Sequence, residues 1–386
     1  MKPLNPFVIT NDYFGPEYFC DREEETQELV SNILNGRNTV LVSDRRMGKS
    51  GLISHVFSRD EISSAFKTFY VDLYSTTSLS EMVVLMSEEI LWQLKGKGRQ
   101  IVERFFSFVK SLSPGMKYDP VTGQITLDIS LGAIEQPKTT LKEIFEFLAS
   151  SEQPCLVAID EFQQIAEYPE GNVVALLRGF VQKCKTATFI FSGSRRRMMD
   201  KLFTNPSEPF YMSSSPLYLD VLDKTKYLHF SQSHFSAAGK ALTDACFNQV
   251  YDTFEGHTWY VQRLLNEIFA TIEKGGSTEN DTFERCLNHV LKLEKRAFDD
   301  NLVLLPDMQK QVLIAVAKEG KALEITSSTF VKKHSLRSAS SVQSAVTALY
   351  NKEYLTRTQE GYIVTNRFLR FYLLDKFAGG STKDYR

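Results

Sequence analysis

The chain has 386 residues, of which 42% are hydrophobic and 24% charged, and its formal net charge is −2. This length and apolar content suffice for two or three globular domains and exclude a disordered or fibrous protein. The near-neutral charge excludes the basic surface of a protein that coats nucleic acid. Residues 301–386 differ, because they carry 13 Lys and Arg against 7 Asp and Glu. This segment is therefore the candidate for contact with a polyanion.

The cysteine and hydropathy patterns indicate the cellular compartment of the protein. Five cysteines are scattered without a CxxC pair, several of them in apolar stretches, as expected for buried thiols in a reducing compartment. The chain does not open with a charged-then-apolar signal segment, and it has no run of about 18 apolar residues that could span a membrane. We therefore predict a cytoplasmic protein without membrane contact.

Strand and helix patterns alternate over residues 1–222, which we predict to be a nucleotide-binding core. Alternation of this kind predicts parallel strands in an α/β layered domain. A helical stretch over Leu79–Leu112 is followed by a predicted hairpin, Lys117–Ser130, with its turn at Pro120-Val121-Thr122-Gly123. The five predicted strands are Thr39–Ser43, Thr68–Leu73, Cys155–Asp160, Ala187–Ser192 and Pro216–Asp220.

After residue 222 the strand pattern ends. Residues 223–302 are predicted to form an all-helical lid, with amphipathic windows at Phe235–Phe254, Trp259–Ile272 and Thr282–Phe298. Residues 303–379 are predicted to form a winged helix-turn-helix domain, and 380–386 a disordered tail. The winged helix is indicated by a hairpin closed by Gln359-Glu360-Gly361 after three helical patterns, Asp307–Lys318, Ser327–His334 and Ala339–Lys352.

A phosphate-binding loop is indicated between the first predicted strand and the next helix. Backbone N–H groups of such a loop and of the helix N-terminus bind phosphate oxygens. Lys49 can reach the β- and γ-phosphates, and the Ser50 hydroxyl can ligate Mg²⁺. Ser43 replaces the usual first glycine, which costs about 1 kcal/mol if the position needs a positive φ. The candidate nucleotide-binding residues are Ser43, Asp44, Arg45, Arg46, Met47, Gly48, Lys49, Ser50 and Gly51.

Two carboxylates, Asp160 and Glu161, end the third predicted strand. Ligands bind at the carboxyl ends of strands in open parallel sheets. Asp160 is therefore predicted to hold Mg²⁺ together with Ser50, and Glu161 to act as general base on the attacking water. With the phosphate loop, this pair predicts a P-loop nucleoside triphosphatase fold, ATP or ADP with Mg²⁺ as ligands, and ATP hydrolysis.

These motifs resemble those of AAA+ ATPases, and more closely the archaeal-type ATPase family, a branch of the STAND nucleoside triphosphatases. Residues 19–29 are similar to the family's F-x-x-R-E-x-E-x-x-x-L pattern, and the resemblance implies that Arg22 lies near adenine. Gly256-His257-Thr258 is similar to the G-x-P lid motif, with Thr258 in place of proline. On this ground His257 is a candidate nucleotide contact, although a helix-start residue suits packing better than catalysis.

Arginines follow the fourth predicted strand at positions 195–197. The segment Phe191–Arg195 resembles the family's sensor, which contacts the γ-phosphate. Guanidinium groups suit bidentate phosphate contact and transition-state charge, so Arg195 is a candidate catalytic residue with Lys49 and Glu161. A solvated helix start is the alternative for each arginine. Action on a neighbouring subunit stays open, and with it oligomerisation.

The predicted recognition helix of the winged helix has few cations. Arg337 and Lys352 flank it, and Gln343 or Asn351 could read adenine, but DNA binders usually contact several phosphates. A DNA partner and a protein or interdomain contact therefore both stay open. The sequence favours an ATPase that acts as a nucleotide-driven switch or remodelling factor. The alternatives are a DNA-binding regulator with a structural nucleotide site and, less favoured, a small-molecule kinase.

Overall fold

The structure is a computed structural model, which describes residues 4–10, 13–95, 99–118, 125–127 and 136–378. The chain divides into two compact units, the first spanning Thr10–Asp223 and the second formed by residues up to Ile9 with those from Lys224 onward. The predicted tail and the predicted turn at 120–123 lie outside the described residues. Within the described ranges, no helix is both long and apolar enough to cross a membrane.

The first unit contains a five-stranded sheet in the order β2-β5-β6-β1-β7, with every neighbouring pair parallel. This sheet confirms the predicted α/β fold, and no strand limit differs from its prediction by more than two residues. Its strands are β1 (Thr39–Val42), β2 (Lys67–Asp72), β5 (Cys155–Asp160), β6 (Ala187–Gly193) and β7 (Ser215–Tyr218). The strands β3 (Met116–Tyr118) and β4 (Ile125–Leu127) form a separate antiparallel pair, which begins one residue before the predicted hairpin.

Helices pack on both faces of this sheet, so the predicted α/β layered domain has three layers. Alternate residues of a strand point to opposite faces, so a strand inside the sheet can contribute to two cores. In β1, Val40 and Val42 join one buried cluster and Leu41 joins the other. The helices of this unit are α1 (Glu23–Leu34), α2 (Lys49–Ser58), α3 (Asp60–Ser63), α4 (Leu79–Lys95), α5 (Arg99–Phe108), α6 (Pro137–Ala149), α7 (Val173–Lys183) and α8 (Arg196–Thr204).

Among its described residues, the second unit contains helices and one hairpin. The hairpin strands β8 (Leu355–Thr358) and β9 (Gly361–Val364) follow the three predicted helices, which confirms the winged helix. The division between lid and winged helix at residue 303 stays a prediction. The helices are α9 (Lys224–Ala237), α10 (Asp244–Thr253), α11 (Thr258–Thr271), α12 (Thr282–Val303), α13 (Asp307–Glu319), α14 (Ser328–Lys333), α15 (Ala339–Asn351) and α16 (Arg367–Ala378).

Two predictions for this unit need correction. The window Phe235–Phe254 is not one helix, because α9 ends at Ala237 and α10 begins at Asp244. Gly239 has φ +70°, which is incompatible with a continuing right-handed helix, and the Thr243 hydroxyl caps α10 by accepting from the backbone N–H of Cys246. The sequence prediction also omitted α16, the final described helix.

Two salt bridges of Glu255 join the turn before α11 to the winged helix. Glu255 accepts hydrogen bonds from Lys321 at 2.9 Å and from Arg367 at 2.7 Å. Beside it, Phe254 packs edge-on against Phe368 of α16, with the ring centroids 5.2 Å apart. Charged and aromatic contacts therefore hold the turn that contains the lid motif against the winged helix.

Candidate functional site

The loop between β1 and α2 has the geometry of a phosphate loop. Gly48 has φ +94° and immediately precedes Lys49, the first residue of α2. Only glycine adopts this left-handed conformation without strain, which explains its place at the helix start. Ser43 does not have a positive φ, so the cost expected for a serine there does not arise. Its hydroxyl instead donates to the carbonyl of Asp44 at 2.9 Å.

Lys49 points into this loop. Its side chain is buried, and Nζ lies 3.3 Å from both Ser43 Oγ and the Asp44 carbonyl oxygen. Burial lowers the pKa of the Lys49 amine, and the nearby carboxylates of Asp160 and Glu161 oppose that shift. A polyphosphate in the loop would favour the charged amine in the same way as those carboxylates.

Asp160 at the end of β5 is surrounded by donors that carry no charge. Its Oδ2 accepts from Ser50 Oγ at 2.9 Å and from the Tyr70 hydroxyl at 2.5 Å. Its Oδ1 accepts from the backbone N–H of Glu161 at 2.9 Å and from Ser192 Oγ. The carboxylate is only 4% exposed, yet its negative charge is not neutralised by a contacting cation in this set of bonds. The predicted Mg²⁺ ligands Ser50 and Asp160 are thus in direct contact.

Glu161 follows with φ 51°, an uncommon backbone conformation for a residue with a side chain. It is the residue before a short 3₁₀ helix, Phe162–Ala166. Its Oε2 accepts from Ser194 Oγ at 2.8 Å and from Gln163 Nε2. The two carboxylates predicted from the sequence therefore lie at one edge of the sheet, each oriented by neighbouring polar side chains.

The sequence prediction did not identify Tyr70 and Gln163, and it named Ser192 and Ser194 only as part of the sensor-like segment Phe191–Arg195, without a contact to the carboxylates. Burial, with the nearby Asp160, raises the pKa of the Tyr70 hydroxyl, which therefore stays protonated as a donor. Asp72, in register with Asp160 on the adjacent strand, has a pKa raised by burial.

The arginines that were predicted to contact the nucleotide form hydrogen bonds and ion pairs with protein groups. Arg195 forms an ion pair with Glu167, and its phosphate contact stays a prediction. Arg45 donates to the Tyr74 hydroxyl at 3.2 Å. Arg22 is buried and pairs with Glu25 at 2.6 Å. It also donates to the backbone carbonyls of residues 47 and 220, which ties the phosphate loop to the segment after β7. Its role near adenine stays a prediction.

His257 lies in the second unit, immediately before α11, with its ring 4.8 Å from that of Tyr260. Its nucleotide contact stays a prediction. The same unit contains a cleft of about 1240 Å³ whose lining includes Glu255 and Arg370. Four acidic and four basic side chains line this cleft, so it offers no excess of positive charge to a polyanion.

Several solved structures share this architecture. The Walker-type ATPase PABY2304 of Pyrococcus abyssi is 16% identical over 95% of this chain and 99% of its own, with a TM-score of 0.64. The ORC2 protein of Aeropyrum pernix, solved with ADPNP and ADP, is 14% identical over 98% and 99%, with a TM-score of 0.56. The ORC1 protein of Aeropyrum pernix, solved with DNA, is 11% identical over 97% of both chains, with a TM-score of 0.55. At these identities the similarity defines the fold, that of a P-loop ATPase.

Family models extend this result to the sequence. The model of an ATPase domain found predominantly in Archaea matches residues 19–264, and that of a probable winged-helix domain matches residues 296–375. The chain belongs to this ATPase family, and it is an ATPase with a C-terminal winged helix. No curated protein matches it.

Proposed function

We propose that ATP and Mg²⁺ bind where the phosphate loop meets the carboxyl end of β5, and that ATP is hydrolysed there. The observation that carries this proposal is the 2.9 Å hydrogen bond between Ser50 Oγ and Asp160 Oδ2. It joins the first residues of α2 to the acidic end of β5, although β6 separates β1 from β5 in the sheet. A hydroxyl and a carboxylate at this junction are the oxygen ligands that Mg²⁺ takes from P-loop proteins.

Each residue then has a distinct task. Lys49 binds the β- and γ-phosphate oxygens, and the N–H groups at the start of α2 bind the phosphates around it. Ser50 and Asp160 would hold Mg²⁺, which neutralises charge on the phosphate oxygens. Glu161 accepts the proton of the attacking water as general base.

Hydrolysis fits a switch or a remodelling factor. The contacts made by a γ-phosphate are lost on cleavage, so ATP and ADP stabilise different conformations. The lid motif and the winged helix are joined within the second unit through Glu255 and the Phe254–Phe368 contact. In this proposal a change at the lid motif is passed to the winged helix. The cytoplasmic location predicted from the sequence remains a prediction.

The partner of the winged helix is proposed to be a protein surface, with DNA as the second candidate. The helix α15 contains no Lys or Arg, which leaves few cations for phosphate contact. DNA is favoured by the exposed Arg337 and Arg357 beside it. Fluorescence anisotropy with a DNA duplex at two salt concentrations distinguishes a DNA partner from a protein partner. Salt-sensitive binding that weakens in Arg337→Ala and Arg357→Ala would identify DNA as the partner.

The deciding experiment measures phosphate release and ATP binding for the wild type, Lys49→Ala and Glu161→Gln. We expect wild-type turnover, loss of ATP binding in Lys49→Ala, and in Glu161→Gln binding with turnover reduced by about 100-fold or more. Matched controls are Lys185→Ala and Glu152→Gln, both exposed at the opposite edge of the sheet. Equal inertness of all these proteins with ATP still bound would contradict hydrolysis at this site.

A further inference from the structure

We propose that Gln163 is a positioning residue for Glu161, and that Gly193 is required because it leaves room for the Gln163 amide. This inference rests on the proposed role of Glu161 as general base. It assigns a function to two residues that belong neither to the phosphate loop nor to the pair of carboxylates.

The amide and a serine hydroxyl orient the carboxylate together. Gln163 Nε2 and Ser194 Oγ both donate to Oε2 of Glu161. Neither bond involves Oε1, which leaves that oxygen as the one able to face a water molecule. Because Gln163 lies only two residues after Glu161 in the same 3₁₀ turn, its amide holds the carboxylate at short range.

The burial of Gln163 supports a specific role for its amide. The side chain is 1% exposed, and its Oε1 is a buried oxygen without a hydrogen-bond partner among the described residues. A buried acceptor without a hydrogen-bond partner destabilises the fold, and an apolar side chain of similar size would avoid that cost. Packing alone therefore does not explain a glutamine here. Exchanging the two amide ends would point the carbonyl oxygen at the Glu161 carboxylate, so the donor end must face Glu161.

Gly193, the last residue of β6, touches the other side of this amide. A Cβ built on Gly193 would lie 2.3 Å from Gln163 Oε1 and 2.6 Å from the sulfur of Met199. Gly193 does not have a positive φ, so backbone freedom is not the reason for a glycine here. A glycine is needed here because any side chain would displace the Gln163 amide from its position beside Glu161.

The first test replaces Gln163 with leucine, which preserves volume but removes the donor. We expect kcat for ATP to fall about tenfold, because a misplaced base acts on its water less often. KM and the Kd for ATP should stay within about twofold, since the phosphate contacts are unchanged. Gln164→Leu is the matched control: it is the neighbouring glutamine, its side-chain amide donates to the Tyr74 carbonyl at 3.5 Å, and its kcat should equal that of the wild type.

The second test shows whether Gly193 acts through the amide. Gly193→Ala should lower kcat about tenfold, and it should lower kcat much less when added to Gln163→Ala, because only the contact with the flexible Met199 side chain then remains. Additive losses, or a Gln163→Leu protein with wild-type kcat and only a lower Tm, would overturn the inference while leaving the proposed function intact. Absence of ATP turnover in the wild type would overturn both this inference and the proposed hydrolysis.

Discussion

Two carboxylates in this molecule are held in opposite ways. Asp160 in the first unit is almost fully buried and accepts hydrogen bonds from three hydroxyls and a backbone N–H, all of them uncharged. Glu255 in the second unit is 44% exposed and pairs with the cations Lys321 and Arg367. Both carboxylates are well satisfied, but the hydrogen-bond donors of Asp160 are uncharged, and the nearby cation Lys49 donates to Ser43 and to the Asp44 carbonyl instead.

The charge of the hydrogen-bond donors distinguishes a ligand-binding carboxylate from one that only joins two segments of the chain. Uncharged donors fix the direction of a carboxylate but leave its charge to attract a cation such as Mg²⁺. Cationic donors use that charge to join two segments and leave little for a further ligand. The type of donor, rather than the number of hydrogen bonds, therefore indicates which carboxylate serves chemistry.

The largest effect is expected for Asp160→Asn, which keeps the shape and removes the charge. Mg²⁺-dependent turnover should fall by about 100-fold or more, because the amide is a poor ligand for the cation. Phosphate release over a Mg²⁺ titration measures it, with the thermal midpoint as a check on folding. Turnover close to that of the wild type would mean that the charge of Asp160 is not used.

A smaller effect is expected for Tyr70→Phe, which removes one uncharged donor from Asp160. The Mg²⁺ concentration for half-maximal turnover should rise about tenfold, since groups that orient a metal ligand tune its affinity. Tyr218→Phe is the control, because that hydroxyl lies 3.4 Å from Asp200 and away from Asp160. An unchanged Mg²⁺ requirement would show that Ser50, Ser192 and the backbone orient Asp160 without the tyrosine.

Glu255→Gln should affect stability and leave Mg²⁺-dependent hydrolysis in place. The pairs are partly exposed and screened by solvent, so we expect a loss of about 1 kcal/mol in the unfolding free energy of the second unit. Denaturant titration of the variant and of Glu273→Gln, an exposed glutamate in the same unit, measures the difference. Loss of hydrolysis without loss of stability would contradict a structural role.

The smallest expected effect is the pH dependence of the stability that Glu255 contributes. Burial alone would raise the pKa of Glu255, but Lys321 and Arg367 outweigh it and the net shift is downward. A carboxyl whose pKa is lower when folded stabilises the protein above its unfolded pKa, about 4.3, and loses that contribution as the pH falls through the folded value. The stability gap between wild type and Glu255→Gln should therefore be constant near pH 7 and narrow below about pH 4. A gap that widens on acidification would contradict the downward shift.

The sequence predicted those site residues that adjoin a recognisable strand end. Lys49 and Ser50 follow one strand, and Asp160 and Glu161 end another, so local context was sufficient. The contacts of Tyr70 and Ser192 with Asp160 were not predicted, because they depend on β5 lying between β2 and β6. Alternation of strands and helices does not reveal strand order.

Other differences have local causes. Arg195 was assigned to phosphate from its position after β6, but Glu167, in the segment after β5, is a competing partner that the sequence did not place beside it. The omitted helix α16 is buried on most sides, with Phe368, Phe371 and Leu373 all in the core. A short segment that is apolar nearly all round lacks the one-sided period by which a helix is recognised.

The end of β6 places a strict length requirement on this protein. Ser192 contacts Asp160, Ser194 contacts Glu161, and Gly193 between them faces the amide of Gln163. Because side chains alternate along a strand, one residue inserted within β6 would exchange the positions of serine and glycine. The same insertion in the loop before Ala187 would alter only the loop. Natural or engineered variation in chain length should therefore be tolerated before β6 and excluded within it.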